Sequence, residues 1–463
     1  MATISPQSTR NEAVSSLSRA FGEKLLLSQA VREQHSGLEG HHTSRLPDAV
    51  LNAASINDVV EALHICAAHD MPLIAHGAGT SLEGNLSAVS GGLSLDLTGM
   101  NRILDVDPEN MICRVEAGVT REQLNQELRH SGLFFPIDPG ANATLGGMAS
   151  TRASGTNAVR YGTMRDNVLS LEVVTADGRI IETGTRAAKS AAGYDLTGLF
   201  VGSEGTLGVI TAVTLRLYGI PQCTMAGTVT FASVDDAVLT TIQAIQLGIP
   251  VARIELLDAA QIKACNAYSQ LSLAEQPTLF LEFHGTEDGV SEQASLFGQI
   301  AKGNGGSELS VAVQVEDRNK LWKARHSAYF ASKSLRPNAR IWSTDVCVPI
   351  AKLADSIAAT RADIERCGAQ ATIVGHVGDG NYHVLFVLDP NQPEEWEVAA
   401  GINERMVAHA LTLGGTCTGE HSVGIGKRQC LVDERGADAI SLMAAVKRAF
   451  DPQGLLNPGK IFL

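Results

Sequence analysis

No uncharged apolar run in this sequence approaches the roughly 18 residues a membrane helix needs, so no transmembrane segment is expected. The N-terminus lacks a charged stretch followed by an apolar core, which excludes a secretory signal. Its first 30 residues are Ser-rich and include Arg10 and Arg19, but Glu12 and Glu23 count against a transit peptide, and a helix is expected there. Positive charge is scarce. Against 50 Asp and Glu stand 36 Lys and Arg, giving a net charge of -14 and a pI near 5.4. An acidic chain lacks the basic face that displaces counterions from nucleic acid or docks on anionic lipid, so no nucleic-acid partner is expected. The eight cysteines are scattered, with no C-x-x-C pair. That spacing supports neither a disulfide framework nor an iron–sulfur site, and it fits a reducing compartment such as the cytoplasm.

What is present is enough chain, 463 residues, for two or three domains with cores of their own. Apolar residues at 44% and charged residues at 19% are the balance of a globular protein. Residues 10–34 carry Val14, Leu17, Phe21, Leu25 and Leu26 at helical spacing. A short strand and a helix capped near Ser55 or Asn57 follow. From Pro72 to about Tyr218, short β-branched runs alternate with dense glycine. Beyond Pro221 the glycines thin out. There the pattern predicts helices over 232–248, 288–303 and 350–367, and strands over 225–231, 278–284, 311–315, 371–377 and 382–388. Helices over 395–413 and 434–450 close the chain. The change of texture places a domain boundary near 220.

The glycines form three clusters. Ala75-His76-Gly77-Ala78-Gly79-Thr80-Ser81 follows a short apolar strand and offers backbone N–H groups and two hydroxyls to a phosphate. It is not the Rossmann fingerprint, because Leu82 stands at the third glycine, and GIGKR is not a P-loop, because Arg428 stands where Ser or Thr is needed. The second cluster contains Pro139-Gly140, Thr144 to Gly147, Ser150, Gly155 to Asn157 and Tyr161-Gly162. The third is Gly202 to Thr211, with Glu204, Gly208, Val209 and Ile210. One glycine loop is usually a turn. Three within 140 residues suit a long ligand pressed against main chain.

GHVGDGNYHVLFV carries a different signal. Helix through Gly375, Gly378 and Gly380 would cost about 1 kcal/mol per glycine, so two strands around Asp379-Gly380 are expected, joined by a two-residue type I′ turn. That register sets 376 against 383 and puts His376 and His383 opposite each other on one face. Two such imidazoles can share a metal ion; a purely structural histidine pair is the competing reading. Glu420, in the glycine-flanked loop TCTGEHSVG, can approach the hairpin and complete a His-His-Glu set with an open coordination position.

From about Arg45 to Lys460 the sequence resembles the vanillyl-alcohol-oxidase (PCMH-type) FAD family. The branch it resembles holds the FAD-linked D-lactate dehydrogenases of cytochrome type, the glycolate oxidase flavin subunits and the D-2-hydroxyglutarate dehydrogenases. The motifs HGAGTSLEG, RYGTMRDNVLSLEVV, LFVGSEGTLGVIT, STDVCVP, GHVGDGNYH, TCTGEHSVGIGKR and DPQGLLNPGK carry the resemblance together. It implies an α+β fold: an FAD-binding domain of two α+β subdomains (46–220) after an N-terminal helical segment (1–45). A ferredoxin-like substrate or cap domain (221–415) would follow, and a C-terminal segment (416–463) would return to the FAD domain. By the same resemblance the first loop holds the pyrophosphate, residues 139–155 lie along the flavin, and GSEGTLGVIT meets adenine and ribose. Asn457 would touch the flavin, although Asn-Pro-Gly is also simply a turn. His76 departs from the arginine many relatives carry there; non-covalent FAD is expected.

The resemblance also places one divalent ion, zinc or manganese, on His376, His383 and Glu420. The implied reaction takes hydrogen from C2 of a D-2-hydroxy acid and leaves the 2-keto acid. The metal lowers the hydroxyl pKa, His421 takes the proton, and flavin N5 receives hydride. Arg325 would clamp the substrate carboxylate bidentately, with Tyr329 one helical turn on and Asn381 adding a polar contact. Relatives acting on the dicarboxylic 2-hydroxyglutarate carry lysine at the position of Ser343, so a monocarboxylic acid such as D-lactate is favoured. Electrons would leave to a cytochrome or quinone-type acceptor, at the respiratory membrane surface or in the mitochondrion of a eukaryote; a homodimer is compatible. A flavin-binding electron-transfer module without its own turnover is the non-enzyme alternative. An oxygen-dependent alcohol oxidase of the same fold would lack the His-His-Glu set.

Overall fold

The computed structural model describes residues 6–37, 40–312 and 314–462. Residues 1–5 and 38–39 of the N-terminal segment, and position 313 of the strand expected over 311–315, lie outside the described residues. The chain divides into two compact units. The first comprises 1–154, 162–220 and 420–463, and the second 155–161 and 221–419.

The first unit contains two main sheets. One has four strands in the order Leu25–Leu26, Ala49–Asn52, Leu93–Asp96, Leu73–His76, the last three mutually parallel. The helix Ile56–Ala68 makes the crossover between the parallel strands Ala49–Asn52 and Leu73–His76. The Ser55 side chain accepts from the Asp58 amide at its start, and Val59, Ala62, Leu63 and Cys66 are buried along one stripe. The other sheet is antiparallel, in the order Ile103–Asp107, Ile112–Glu116, Val209–Arg216, Val168–Val174, Ile180–Glu182. Its central strand, Val209–Arg216, is buried at every position but the last, as a strand covered on both faces must be. Each sheet is backed by its own apolar cluster.

The helix expected over 10–34 does not run through. Pro6–Phe21 is helical, Gly22 turns the chain at φ +52°, Leu25–Leu26 joins the sheet edge, and Gln29–Gln34 forms a second short helix. The apolar stripe is real, since Leu17, Phe21 and Leu25 are all buried, but two kinds of element share it. The carboxy-terminal stretch is stitched to the parallel sheet: the Leu73 amide donates to Leu455 O and the Asn457 amide to Leu73 O.

The second unit is one antiparallel sheet with helices. Its order is Ser310–Ala312, Cys223–Thr230, Thr278–Gly285, Val251–Leu257, Ala371–His376, Asn381–Leu388, Arg340–Ser343, and Val346–Cys347 pairs with the start of Asn381–Leu388. The helices Val234–Gln246, Glu287–Gly303 and Leu353–Cys367 each bury an amphipathic stripe. Among the described residues, no helix is long and apolar enough to cross a membrane.

Candidate active site

The hairpin of the second unit forms, but its register differs from the sequence expectation. Ala371–His376 ends in a single 3-10 turn over Val377–Asp379, Gly380 follows at φ +77°, and Asn381–Leu388 returns. Four residues thus make the turn instead of two. His376 therefore pairs with Asn381, and His383 with Val374. A slip of two keeps every side chain on its face, because the strand period is two. The imidazoles are accordingly diagonal neighbours on one face, with centroids 5.5 Å apart and planes at 84°. Gly380 is confined by its surroundings: a Cβ there would lie 2.0 Å from Val348 O.

Each imidazole is held by its Nδ1. His383 Nδ1 lies 2.8 Å from Thr344 O, which can only accept, so Nδ1 carries the proton. His376 Nδ1 lies 2.7 Å from Glu255 Oε1. Glu255 is 1% exposed. Burial pushes its pKa up, but His376 and Arg325, both hydrogen-bonded to it, outweigh this and hold the carboxyl below its ordinary range. Glu255 is therefore an acceptor, and both histidines are fixed in the tautomer whose lone pair sits on Nε2, the arrangement in which histidine binds metals.

Arg325, expected as a carboxylate clamp, grips Glu255 Oε2 through Nε at 2.9 Å and Nη2 at 2.5 Å. Tyr329 does not share its helical face. The helix Val315–His326 ends before Ser327, and Tyr329 belongs to Ala328–Lys333, where it packs against the cluster containing Trp322 and Ile341. Asn381 Nδ2 donates to Asp345 Oδ1 and Val346 O, both at 2.7 Å, so its amide braces the hairpin against the neighbouring strand Val346–Cys347.

The loop carrying Glu420 is set by the same residues. A Cβ on Gly419 would lie 2.3 Å from Asn381 Nδ2, and Thr418 Oγ1 donates to Asp345 Oδ2 at 2.7 Å. Glu420, bonded to Gly419, opens the last segment of the first unit, while both histidines belong to the second. Two imidazoles on one strand face, each with its lone pair on Nε2, are donors of the kind a zinc-class ion takes. His421 follows, its Nε2 4.0 Å from Glu420 Oε1.

The glycine cluster of the first unit is equally close-packed. A Cβ on Gly77 would lie 2.3 Å from Thr144 Oγ1, so the loop 76–81 presses its backbone onto residue 144. Ser150 and Gly202–Glu204 meet through backbone bonds: Gly202 N donates to Ala149 O and Glu204 N to Ser150 O. Ser203 Oγ and Asn85 Oδ1 are buried without a hydrogen-bond partner, polar atoms of the kind a bound ligand satisfies. Not every expected cofactor residue faces a ligand with its side chain. Gly146 and Gly208 leave room for Ala117 and for Val173 and Phe200, Val209 and Ile210 are core, and Tyr161 Oη bonds His284 Nδ1 at 2.8 Å. Asn157 Oδ1 accepts from Arg253 Nε.

Glu204 accepts from Val423 N, Gly424 N and Asn85 Nδ2 at 2.8, 2.9 and 2.6 Å. Burial nonetheless raises its pKa. Asn457 Nδ2 donates to Glu204 O and Asn85 O, and Lys460 Nζ to Ser87 O and Asn457 Oδ1. Expected as cofactor contacts, Glu204 and Asn457 tie the carboxy-terminal segment to the glycine cluster. Glu255, Thr344, Asn85 and Lys460 were not expected from the sequence. Only Glu255 left a signal: a carboxylate inside the apolar run VARIELL must find a partner once buried.

Comparison with known proteins decides the family. A family model for the C-terminal domain of FAD linked oxidases matches residues 220–461, and one for an FAD binding domain matches residues 47–184. The chain belongs to the FAD-linked oxidases. Among curated relatives, a probable mitochondrial D-lactate dehydrogenase of Danio rerio is 50% identical over 97% of this chain and 91% of its own length. A mitochondrial D-lactate dehydrogenase (cytochrome) of Arabidopsis thaliana is 43% identical over 91% of this chain and 74% of its own. The fold is also that of 4-ethylphenol oxidase from Gulosibacter chungangensis, at 18% identity, TM-score 0.80, covering 100% of this chain and 98% of that one. P-cresol methylhydroxylase matches at the same TM-score, 0.80. This FAD-linked oxidase is thus an FAD-dependent oxidoreductase with the PCMH-type α+β architecture.

Proposed function

We propose that this chain oxidises D-lactate, or a closely related D-2-hydroxy monocarboxylic acid, to the 2-keto acid and passes the electrons to a cytochrome or quinone-type acceptor. The observation that carries the reading is the His376–His383 pair, with both tautomers fixed from behind, to which Glu420 would add the carboxylate. The names of the 50% and 43% identical relatives support the substrate and the acceptor. Ser343, where a lysine would serve a second carboxylate, supports a monocarboxylic acid.

FAD, when bound, would supply the acceptor for the hydride that leaves C2. The three-residue donor set would hold a divalent ion and supply Lewis acidity toward the C2 hydroxyl. His421 accepts the hydroxyl proton; an imidazole suits this because its ordinary pKa near 6.5 lies close to working pH. Arg325 holds Glu255 by one edge of its guanidinium and offers the Nη1 edge to the substrate carboxylate. Glu255 thereby positions the substrate-binding cation and the His376 imidazole together.

Anaerobic addition of D-lactate to the purified FAD-bound chain is expected to bleach the flavin. Chelation should abolish the bleaching and added Zn2+ or Mn2+ should restore it. Bleaching by glycolate or D-2-hydroxyglutarate but not by D-lactate would replace the substrate. Bleaching by none of the three would reduce the chain to an electron-transfer module, and bleaching indifferent to chelation would remove the metal.

A further inference from the structure

A second group of donors lies in the first unit, apart from the hairpin. His76 ends the strand Leu73–His76 and Asp96 ends its parallel neighbour Leu93–Asp96, and the two are direct cross-strand partners. The carboxyl ends of parallel strands are where α/β sheets present their ligands. His35 arrives from the turn after the helix Gln29–Gln34. Its ring lies 4.4 Å from that of His76, centroid to centroid. Donor atoms of His35, His76 and Asp96 all lie within 4.8 Å of one another.

The hydrogen bonds show why this cluster calls for a cation. His35 Nδ1 lies 2.8 Å from Val31 O, which can only accept, so the proton of neutral His35 resides on Nδ1. His35 Nε2 then presents a lone pair, and it lies 2.9 Å from Asp96 Oδ2. Asp96 Oδ1 is already taken by the amide and hydroxyl of Thr98. Two acceptors face each other, and something positive must lie between them: a proton or a metal ion. The third member favours the ion. His76 is 7% exposed, and neither ring nitrogen has a hydrogen-bond partner of proper geometry. A buried imidazole in that state gives up hydrogen bonds it would make in water, about 1–3 kcal/mol for an unsatisfied group, unless a ligand recovers them.

We propose that His35, His76 and Asp96 form a second divalent-cation site, of zinc class, that pins the N-terminal segment to the strand end from which the glycine loop 76–81 departs. Two imidazoles and one carboxylate match zinc's preference for N and O donors. Donors bound at about 2.1 Å around one ion sit roughly 3.4 Å apart, so closing the group needs only a small movement of the His76 ring. Binding releases the proton shared by His35 and Asp96. The site shares no residue with the hairpin.

The test separates the two sites by counting. FAD-bound protein is stripped with a chelator, dialysed against Zn2+, desalted and assayed for zinc per flavin. In His376→Ala, which removes a hairpin ligand, about one zinc per flavin should remain. Adding His35→Ala or, separately, Asp96→Asn should remove it, while the wild type with only His35→Ala keeps the hairpin ion. Co2+ in place of Zn2+ should give visible d–d bands in His376→Ala that either second substitution abolishes. Flavin content and melting temperature check the fold, and the two substitutions on separate elements guard against one that fails to fold. If His376→Ala retains no zinc, or retains the same amount with and without His35 and Asp96, a shared proton is all that the cluster holds and the proposal falls.

Discussion

The glycine cluster of the first unit and the histidine hairpin of the second are both polar sites set among apolar residues, yet they are built from opposite materials. In the cluster the work falls to main chain: Gly77 brings its backbone onto Thr144, and Ser150 and Gly202–Glu204 interlock through amides and carbonyls. In the hairpin the backbone only sets a register, and side chains carry the chemistry in a relay from Arg325 through Glu255 to His376. A main-chain site tolerates little added volume anywhere along it. A side-chain site tolerates volume but fails when one donor is lost. The most damaging substitutions should therefore be deletions in the hairpin and additions in the glycine cluster.

The largest effect should come from His376→Ala or His383→Ala. Removing a ligand forfeits the several kcal/mol a Lewis acid contributes, on the order of a 10³-fold loss in kcat/KM. Dye-linked turnover and metal content should fall together while FAD stays bound. Full activity without the metal would erase the contrast between the two sites. Next comes Glu255→Gln, which leaves both histidines in place but loosens the tautomer of His376. Metal affinity should drop about 10–100-fold, as it does when the partner behind a ligating histidine is removed. The protein should also lose stability, because Arg325 is left buried without its counter-charge. A purely structural Glu255 would lower the melting temperature without changing metal affinity.

How far each site was legible follows from the same contrast. The hairpin histidines could be read because strand periodicity fixes which residues share a face, and a register slip of two leaves that unchanged. The slip itself was hidden: Asp379-Gly380 serves equally as a two-residue turn or as the end of a 3-10 turn with Gly380 left-handed, and Val348 O, remote in sequence, selects the second. The glycine loops could be found by composition, yet which glycines accept a ligand and which merely admit Phe200 or Ala117 depends on packing that composition does not encode. Arg325 was readable as a functional cation but not as the partner of Glu255, 70 residues away. The long helix expected at the N-terminus failed at Gly22 because an apolar stripe of that spacing can be shared by a helix and a strand edge.

A smaller effect probes the glycine side. Gly77→Ala places a methyl 2.3 Å from Thr144 Oγ1. Overpacking of this kind costs about 1–3 kcal/mol, so FAD retention should weaken roughly 5- to 150-fold. Adding Thr144→Ala removes the offending atoms and leaves Cβ-to-Cβ contact at an ordinary 3.5 Å, so retention should partly recover. No recovery in the double variant would mean that the loop needs glycine for a reason other than Thr144.

The smallest effect is a pH dependence, and it separates a buried charge from a buried backbone. Burial pushes the Lys460 pKa down to about 8, while Glu204 opposes the shift. An unfolded lysine titrates near 10.4, so between roughly pH 8 and 10.4 the unfolded chain holds a proton that the folded chain has released. Stability contributed through this group therefore rises with pH across that window and is lowest, and flat, below it. Lys460 keeps its bonds to Ser87 O and Asn457 Oδ1 as a neutral amine, which can still donate. Lys460→Met should remove this upward contribution to the melting temperature between pH 8 and 10.4. It should also loosen the tie between Asn457 and the glycine cluster at every pH, so the variant melts lower throughout and its profile is flatter at the alkaline end. An unchanged slope would mean that Lys460 stays charged in the fold, and that the carboxy-terminal segment, like the hairpin, is held by side-chain charge after all.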